Sequence, residues 1–493
     1  MSYPPPVHGR EETMRRGFLW TAAIGVCLVG CAQFSLQTKT PAERFPPERT
    51  TLESGLVRIV TFEGEEGLRA SLEERRAELG VPAVSVAVLR DGEIHWAGAY
   101  GSDVDESTLF QAASLSKTVA AAGLITLANE RGVSLDDDLS GDLPADLIAT
   151  INPGGIPLTL RKLLSHTNGA AVSGFPGYPA GSAVPTTQEV VLGAGPTNTD
   201  PVLISPNPDG ERRYSGGGYT IAQLWAETVT GETFPALMQR LVLEPVGMPR
   251  STFSQAVPGG YPDDNMARAY DREGSPVESG WHIYPEMAAA GLWTTPTEFL
   301  TFIGALMAAL DGDESRGIDP AVAQVMVIPV ASDYGLGIGA APKGDTIRLS
   351  HSGSNRGFRC NFMAYPDRND AVITMTNASV GWAMVGDVGR TANTTYGWPM
   401  VEMPIYTRAE VTEGELDAFT GQYRGEGSDQ VLFTLSVEGD TLKAAVFNGS
   451  EFTLVKIGEA TFIDPNDGEE AVFAADEDGR MVATSGGARY VRL

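Results

Sequence analysis

Ser114 and Lys117 stand three residues apart in Phe110-Gln111-Ala112-Ala113-Ser114-Leu115-Ser116-Lys117, at the head of an alanine-rich run that stops at Gly132. On a helix that spacing puts both side chains on one face, so the lysine amine reaches the serine hydroxyl. A serine hydroxyl near its free pKa is a poor nucleophile. A lysine kept neutral by desolvation or by a cationic neighbour takes its proton and activates it. The free N–H groups and partial positive charge of a helix N-terminus suit the oxyanion that follows attack on a carbonyl. S-x-x-K by itself is a common tetrapeptide, so its catalytic reading depends on its company. The chain is poor in lysine, and this is its one S-x-x-K.

Two further stretches could supply that company. In Arg213-Tyr214-Ser215-Gly216-Gly217-Gly218-Tyr219-Thr220 a tyrosine precedes a glycine turn that feeds a helix. A phenol beside a lysine ammonium is pulled towards phenolate and can act as general base towards Ser114. The competing reading of Tyr214 is a buried or stacking ring before a loop; Tyr219 reads as core. In Leu349-Ser350-His351-Ser352-Gly353-Ser354-Asn355-Arg356-Gly357-Phe358 a strand ends in small residues, along which a substrate backbone can lie.

In order and at compatible separations, Ser114-x-x-Lys117, Tyr214-Ser215-Gly216 and His351-Ser352-Gly353 resemble the serine β-lactamase and penicillin-binding protein superfamily, nearest its class C and D-aminopeptidase or esterase-like branch. The likeness covers roughly residues 65 to 395. Leu163-Leu164-Ser165-His166-Thr167-Asn168-Gly169 and Tyr334-Gly335-Leu336-Gly337 also look like the family's. The resemblance implies Ser114 as the acylated nucleophile and Lys117 and Tyr214 as the proton-handling pair. It implies a strand through His351, Ser352, Gly353 and Ser354 that clamps substrate, and an oxyanion hole from the backbone N–H groups of Ser114 and Ser354, worth several kcal/mol in such sites. No cysteine or histidine cluster stands at ligand spacing, so no metal is expected, and no cofactor is expected either.

Two departures bear on the substrate. Gly216 stands where many lactamases and transpeptidases carry asparagine, which removes a side-chain amide for the substrate's acylamino group. His351 stands where they carry lysine, and histidine is mostly neutral above a pKa of about 6.5. Both weaken the case for lactam hydrolysis or murein cross-linking and leave the acylation machinery intact; Arg356 is a candidate for the missing charge. The expected activity is acyl-enzyme hydrolysis of an amide or ester. The alternatives are a β-lactamase or D,D-carboxypeptidase acting on cell-wall peptides, and a penicillin-binding or sensing lipoprotein that acylates without turnover.

Other motifs carry less. Gly335-x-Gly337-x-Gly339 lacks a following helix and an acidic ribose partner, so it reads as strand and turn. His166 precedes a turn and reads as structural. No G-x-S-x-G is present, so no α/β-hydrolase elbow competes. Asp136-Asp137-Asp138 reads as a solvated cap region.

The elements that must position these residues follow from pattern. Pro82 to Leu89 and Ile94 to Gly98 flank Asp91-Gly92 as a β-hairpin. Gln111 to Gly132 reads as an amphipathic helix with Ser114 in its first turn, and Glu65 to Leu79, Thr220 to Val229, Phe234 to Leu243 and Thr297 to Leu310 also read as helices. Strand patterns return at Tyr334 to Gly339, Thr346 to Ser350, Arg359 to Ala364 and Ala371 to Asn377. The fold class is therefore α/β (α+β): a β-lactamase/transpeptidase-like domain over 56–400, with a mixed, mainly antiparallel sheet and a helical region. Short strands at Val431 to Val437, Leu442 to Phe447, Phe452 to Ile457 and Glu470 to Ala474 predict a small all-β, barrel-like domain over 410–493.

At 493 residues the chain is long enough for two domains and a leader. A formal charge of −28 argues against nucleic acid or an anionic membrane surface as partner. The expected partner is a small-molecule or peptide acyl substrate. Met14-Arg15-Arg16-Gly17 and the short apolar run Thr21 to Val29 read as a signal peptide over 1–31, too short to span a bilayer. Leu28-Val29-Gly30-Cys31 resembles a bacterial lipobox, which implies cleavage and lipidation at Cys31; the paired arginines also resemble a twin-arginine signal. Residues 32–55 then form a tether, and the protein is an exported lipoprotein held at a periplasmic membrane face or the cell surface by its lipid alone. With Cys27 in the leader, only Cys360 remains a free thiol, and the mature chain can form no internal disulfide.

Overall fold

A computed structural model describes residues 45–65, 69–255, 265–343, 346–399, 404–425, 431–446, 451–466, 468–485 and 488–493. Cys31, the leader and the tether as far as residue 44 lie outside the described residues. The end of the expected tether is not a spacer. Pro47–Ser54 forms a helix, α1, with proline in its first turn and Leu52 fully buried, because an apolar side chain at that point finds a helix and a sheet to pack on.

Strands β1 (Ala83–Arg90) and β2 (Glu93–Gly101) form the expected hairpin. Asp91 and Gly92 both take positive φ, 50° and 79°, the two-residue turn whose twist matches its flanking strands. The sheet is completed late in the chain by β3 (Gly339–Lys343), β4 (Thr346–Asn355), β5 (Phe358–Tyr365) and β6 (Asp370–Thr376). The order is β2-β1-β6-β5-β4-β3, and every pairing is antiparallel. Tyr334 to Ile338, expected as strand, is instead a turn held by local hydrogen bonds. Gly337 there takes φ 79°, and a Cβ would stand 2.7 Å from the Lys117 carbonyl oxygen. The glycines thus let a turn lie on the helix that follows Ser114.

Both faces of the sheet are covered, which is why β1 reads as a continuous apolar run. Val84, Val86 and Val88 pack with Leu52 of α1 and with Met384 and Val388 of a C-terminal helix, Trp382–Tyr396. Ala87 and Leu89 face the opposite way, into the core that holds Phe299 and Ile303 of the helix Pro296–Leu310. The large insertion between β2 and β3 carries the helical region. At its centre lies α2 (Ser116–Arg131), which ends at Gly132 with φ 68° and the N–H returned to Ala128 and Asn129. This helix is buried nearly all round, so it is a core helix and not the amphipathic one expected.

The C-terminal segment closes into an antiparallel barrel of eight strands: β7 (Gly421–Gly425), β8 (Val431–Glu438), β9 (Thr441–Val446), β10 (Glu451–Lys456), β11 (Thr461–Ile463), β12 (Glu470–Ala475), β13 (Met481–Ser485) and β14 (Ala488–Arg492). β14 pairs back to β7. Half of these strands are absent from the sequence pattern, since three to five residues give too little alternation to read. Val455 and Ile463 of the barrel wall pack on Val60 and Phe62. Nearby, Arg75 on the helix Leu72–Glu78 meets Asp387 at 2.8 Å, both fully enclosed, and Asp387 also accepts the Ile59 N–H at 2.9 Å.

Asp387→Ala leaves the buried Arg75 Nε without its carboxylate and the guanidinium with only the half-exposed Glu78 as counter-charge. The expected result is a loss of about 3–5 kcal/mol, read as a lowered urea midpoint, whereas Glu48→Ala on the surface of α1 leaves the midpoint unchanged.

Candidate active site

The turn that carries Ser114 is built by strain. Phe110–Gln111 pairs with Trp293–Thr294 as a two-residue ladder, and the chain then reverses through Ala113 at φ 47°. A left-handed non-glycine residue costs on the order of 1–2 kcal/mol, and its neighbours hold it. The Ala112 N–H donates to the Leu292 carbonyl at 2.8 Å, Leu292 N–H donates to Ser116 Oγ at 2.9 Å, and Ser116 Oγ donates to the Ala113 carbonyl. Ser114 therefore sits in a 3₁₀ turn, Ala113–Leu115, leading into α2, not in the first α-helical turn. It is half-buried, at the end of an otherwise enclosed segment.

Lys117, 2 % exposed, places Nζ 3.1 Å from Ser114 Oγ and 2.7 Å from the Ala289 carbonyl oxygen. Ala289 belongs to the short helix α3 (Met287–Ala290). Gln223 clamps that helix from the side, donating to the Pro285 carbonyl and accepting the Ala288 N–H, each at 3.0 Å. Gln223 lies on the helix Gly216–Thr230, whose N-cap Ser215 accepts the Gly218 N–H at 3.0 Å. The tyrosine just before that cap is Tyr214, and Lys117 Nζ lies 5.0 Å from its ring centre. One rigid block thus carries both the lysine's anchor and the tyrosine.

His166 supports Tyr214 from the other side. Its ring lies 4.4 Å from the Tyr214 ring, and its Nδ1 accepts the Ser215 N–H at 3.1 Å. Burial first, then the nearby Lys117 charge, pushes the imidazole well below its ordinary pKa, so it serves as a neutral prop. Tyr219 is core, its hydroxyl donating to the Leu164 carbonyl at 2.8 Å.

The third motif closes the site. His351, Gly353 and Asn355 point inward from β4, while Ser352 and Ser354 are exposed. A Cβ on Gly353 would stand 2.6 Å from the Ala112 carbonyl oxygen and 2.6 Å from Cys360 Sγ. Only glycine lets the strand lie this close to the nucleophile turn. His351 Nδ1 donates to the Ser352 carbonyl at 2.7 Å, which leaves Nε2 to accept the Tyr334 hydroxyl at 3.0 Å. Burial, reinforced by Lys117, pushes His351 down to about 3. The expected loss of permanent charge at this position is therefore complete at neutral pH. Arg356, the sequence candidate for a replacement, lies on the β4–β5 turn with its backbone N–H on Tyr284 Oη. The guanidinium that overlies the site's tyrosines is that of Arg212, 4.3 Å from the Tyr334 ring centre and 5.8 Å from that of Tyr214.

Gly216 also has a physical cause. A Cβ there would meet the Phe175 ring at 2.8 Å, so an aromatic ring occupies the space into which a side chain at 216 would grow. The structure thus brings Ser114, Lys117, Tyr214, His351 and Gly353 together. Sequence reasoning missed Ala289, whose carbonyl gives no residue-type signal, and it missed Phe175 and Arg212. It read His166 as structural, in keeping with its place beside Tyr214, and it noted Tyr334 without a role.

A strained serine turn on a buried helix, a lysine three residues on, and an antiparallel strand laid against both define a class of acyl-transfer folds. The Beta-lactamase family model matches residues 68–394, and the chain belongs to that family. Among curated relatives it is 25% identical over 349 residues to unguisins hydrolase ungD of Aspergillus violaceofuscus, covering 61% of this chain and 59% of that protein. It is also 25% identical over 228 residues to protein flp of Staphylococcus aureus, covering 45% and 43%. The chain thus spans about half the length of the curated relatives it matches. Among solved structures, the octameric penicillin-binding protein homologue from Pyrococcus abyssi superposes with TM-score 0.57 at 22% identity, covering 85% of this chain and 98% of that one. The D-amino acid amidase from Ochrobactrum anthropi SV3 superposes with TM-score 0.52 at 19% identity, covering 72% and 98%. At these identities the likeness is one of fold.

Two substitutions test the site's construction. Gly353→Ala drives a methyl into the Ala112 carbonyl, and the strand must move; the cost is about 1–3 kcal/mol of stability, with acylation by an activated ester slowed far more than a change of that size elsewhere in the core would slow it. Glu286, the residue preceding α3, is fully buried with neither carboxyl oxygen partnered among the described residues, and burial pushes it up to about 8. A carboxyl raised in the folded state costs stability as pH climbs from about 4.5 to about 8. Glu286→Gln is therefore expected to flatten that decline and raise the melting temperature at pH 8 more than at pH 5, measured by thermal melts across that range.

Proposed function

We propose that the chain is a serine hydrolase that opens an amide or ester through a Ser114 acyl-enzyme, with D-aminoacyl amides and small esters favoured over β-lactams. One observation carries the reading: Lys117 Nζ lies on Ser114 Oγ while the Ala289 carbonyl takes one of its N–H bonds. In its neutral form the amine donates to Ala289 and turns its lone pair to the serine proton. Ser114 Oγ then bonds to the substrate carbonyl carbon as its proton passes to Lys117. The Tyr214 phenol, beside Lys117, relays that proton to the leaving amine or alcohol as the C–N or C–O bond breaks. Water repeats the attack, gives its proton to the same pair, and frees the acid. The backbone N–H groups of Ser114 and Ser354 stabilise the oxyanion.

The substrate preference rests on two features. Neutral His351 offers no permanent charge to a lactam carboxylate, and Phe175 stands where a side-chain amide at 216 would project. The names of similar proteins, a D-amino acid amidase and an unguisins hydrolase among them, agree with an acyl substrate outside the lactams. The second reading, a cell-wall carboxypeptidase or lactamase, is favoured by the guanidinium of Arg212 over Tyr334. We place the mature chain outside the cytoplasm on the strength of the Cys31 motif alone.

A steady-state panel of an aryl ester, a D-aminoacyl amide, a D-Ala-D-Ala peptide and a chromogenic cephalosporin separates these readings. Ester or D-aminoacyl amide kcat/KM is expected to exceed that for the cephalosporin and the dipeptide by at least about a hundredfold. The reverse order assigns the site to cell-wall chemistry. A stoichiometric burst with no steady-state release assigns it to sensing.

A further inference from the structure

Among the described residues, the barrel's own side chains fill its interior at one end only. A 3₁₀ turn, Glu415–Phe419, plugs that end, with Phe419 packed on Phe462 and Phe473 at 5.0 and 5.1 Å between ring centres. Towards the other end the inward residues divide by size. β12 and β13 present Ala471, Ala483 and Ser485, while β8, β10 and β14 present Phe433, Phe452 and Tyr490. Small residues facing large ones leave a space, and a cavity of about 880 Å³ opens there. An eight-stranded barrel is just wide enough to be filled by its side chains or to hold one small ligand.

The aromatics at this end behave as a lining rather than as core. Phe433, Phe452 and Tyr490 are only half-buried, yet they are ordered against one another. Phe433 stacks on Tyr423 at 5.1 Å and 10°, and meets Tyr490 edge-on at 5.2 Å. Trp382, on the catalytic domain, supplies the opposite wall and is 39 % exposed. Rim charges are already engaged: Glu78 with Arg75 and Arg58, and Glu451 with Lys443. Arg272, Asp464 and Glu469 also line the cavity, and they too are engaged: Asp464 accepts the Asn466 N–H and Glu469 the Ser485 hydroxyl, each at 2.8 Å, and Arg272 has partners of its own. The part of the wall left for recognition is therefore apolar and aromatic.

We propose that the barrel mouth is a second binding site, separate from Ser114, for a small uncharged molecule bearing an aryl or acyl group. Its apolar part inserts between Phe433, Phe452 and the alanine wall, with Trp382 covering it. The wall also touches the substrate strand's turn: Ser379 lines the cavity and its Oγ accepts the Gly357 N–H at 3.2 Å.

The probe is N-phenyl-1-naphthylamine, an uncharged dye whose emission rises in apolar surroundings, titrated into the full chain. One saturable site per chain is expected, and it should survive phosphonylation of Ser114. Ala471→Trp, which fills the cavity, should weaken binding at least about tenfold with ester hydrolysis retained. Trp382→Ala, at an exposed position that does not threaten the barrel's folding, should weaken binding about threefold and decides the matter if Ala471→Trp does not fold. Loss of the dye on phosphonylation would place it in the hydrolytic site and overturn the proposal. So would the lack of saturable binding, or unchanged affinity in whichever variants fold.

Discussion

The amine of Lys117 is buried, and a buried amine must have partners or it unfolds its surroundings. Its partners are the hydroxyl of Ser114 and the carbonyl of Ala289. Much of the catalytic domain can be read as the means of holding that carbonyl in place. Gln223 grips Pro285 ahead of α3 and Ala288 within it, Asn355 of β4 donates to the Ala290 carbonyl, and the chain beyond α3 ties to the Ser114 turn through Leu292 and Ser116. The left-handed Ala113 is tolerable because the same contacts that fix the lysine's anchor also fix the turn.

The proposed substrate preference rests on which neighbours of the lysine are uncharged. His351 and His166 are both pushed down, by burial above all, so the imidazoles stay neutral and shape the site without charging it. The fixed positive charge near them is the Arg212 guanidinium, stacked on Tyr334. On the proposed reading, such a site favours charge that develops on a reacting carbonyl over charge already present on the substrate.

Some of this was legible in the sequence because side-chain type and spacing carry it. Ser114 and Lys117 at three residues, Tyr214 before a glycine turn and the small-residue strand from His351 pointed to one site, and Asp91-Gly92 marked its hairpin. What was not legible depends on backbone groups and on long-range packing. Ala289 contributes through a carbonyl that every residue has. Phe175 fills the space beside Gly216 from forty residues away. The helix after Ser114 looked amphipathic because its few polar residues suggest a wet face, but Thr118 instead donates to the Gly337 carbonyl inside the core. The barrel's shortest strands fell below the length at which alternation can be read, and Leu52 buries a helix where proline and polar residues suggested a spacer.

The account stands on Ser114 as the atom that takes the acyl group. Rapid acid quench of the full chain with an activated aryl ester, followed by digestion and mass spectrometry, locates that group directly. The account predicts the acyl mass on the peptide that contains Ser114, formed within the first turnover and absent from Ser114→Ala, which keeps the parent's melting temperature. An acyl group on any other residue, or sustained turnover by Ser114→Ala, would contradict it.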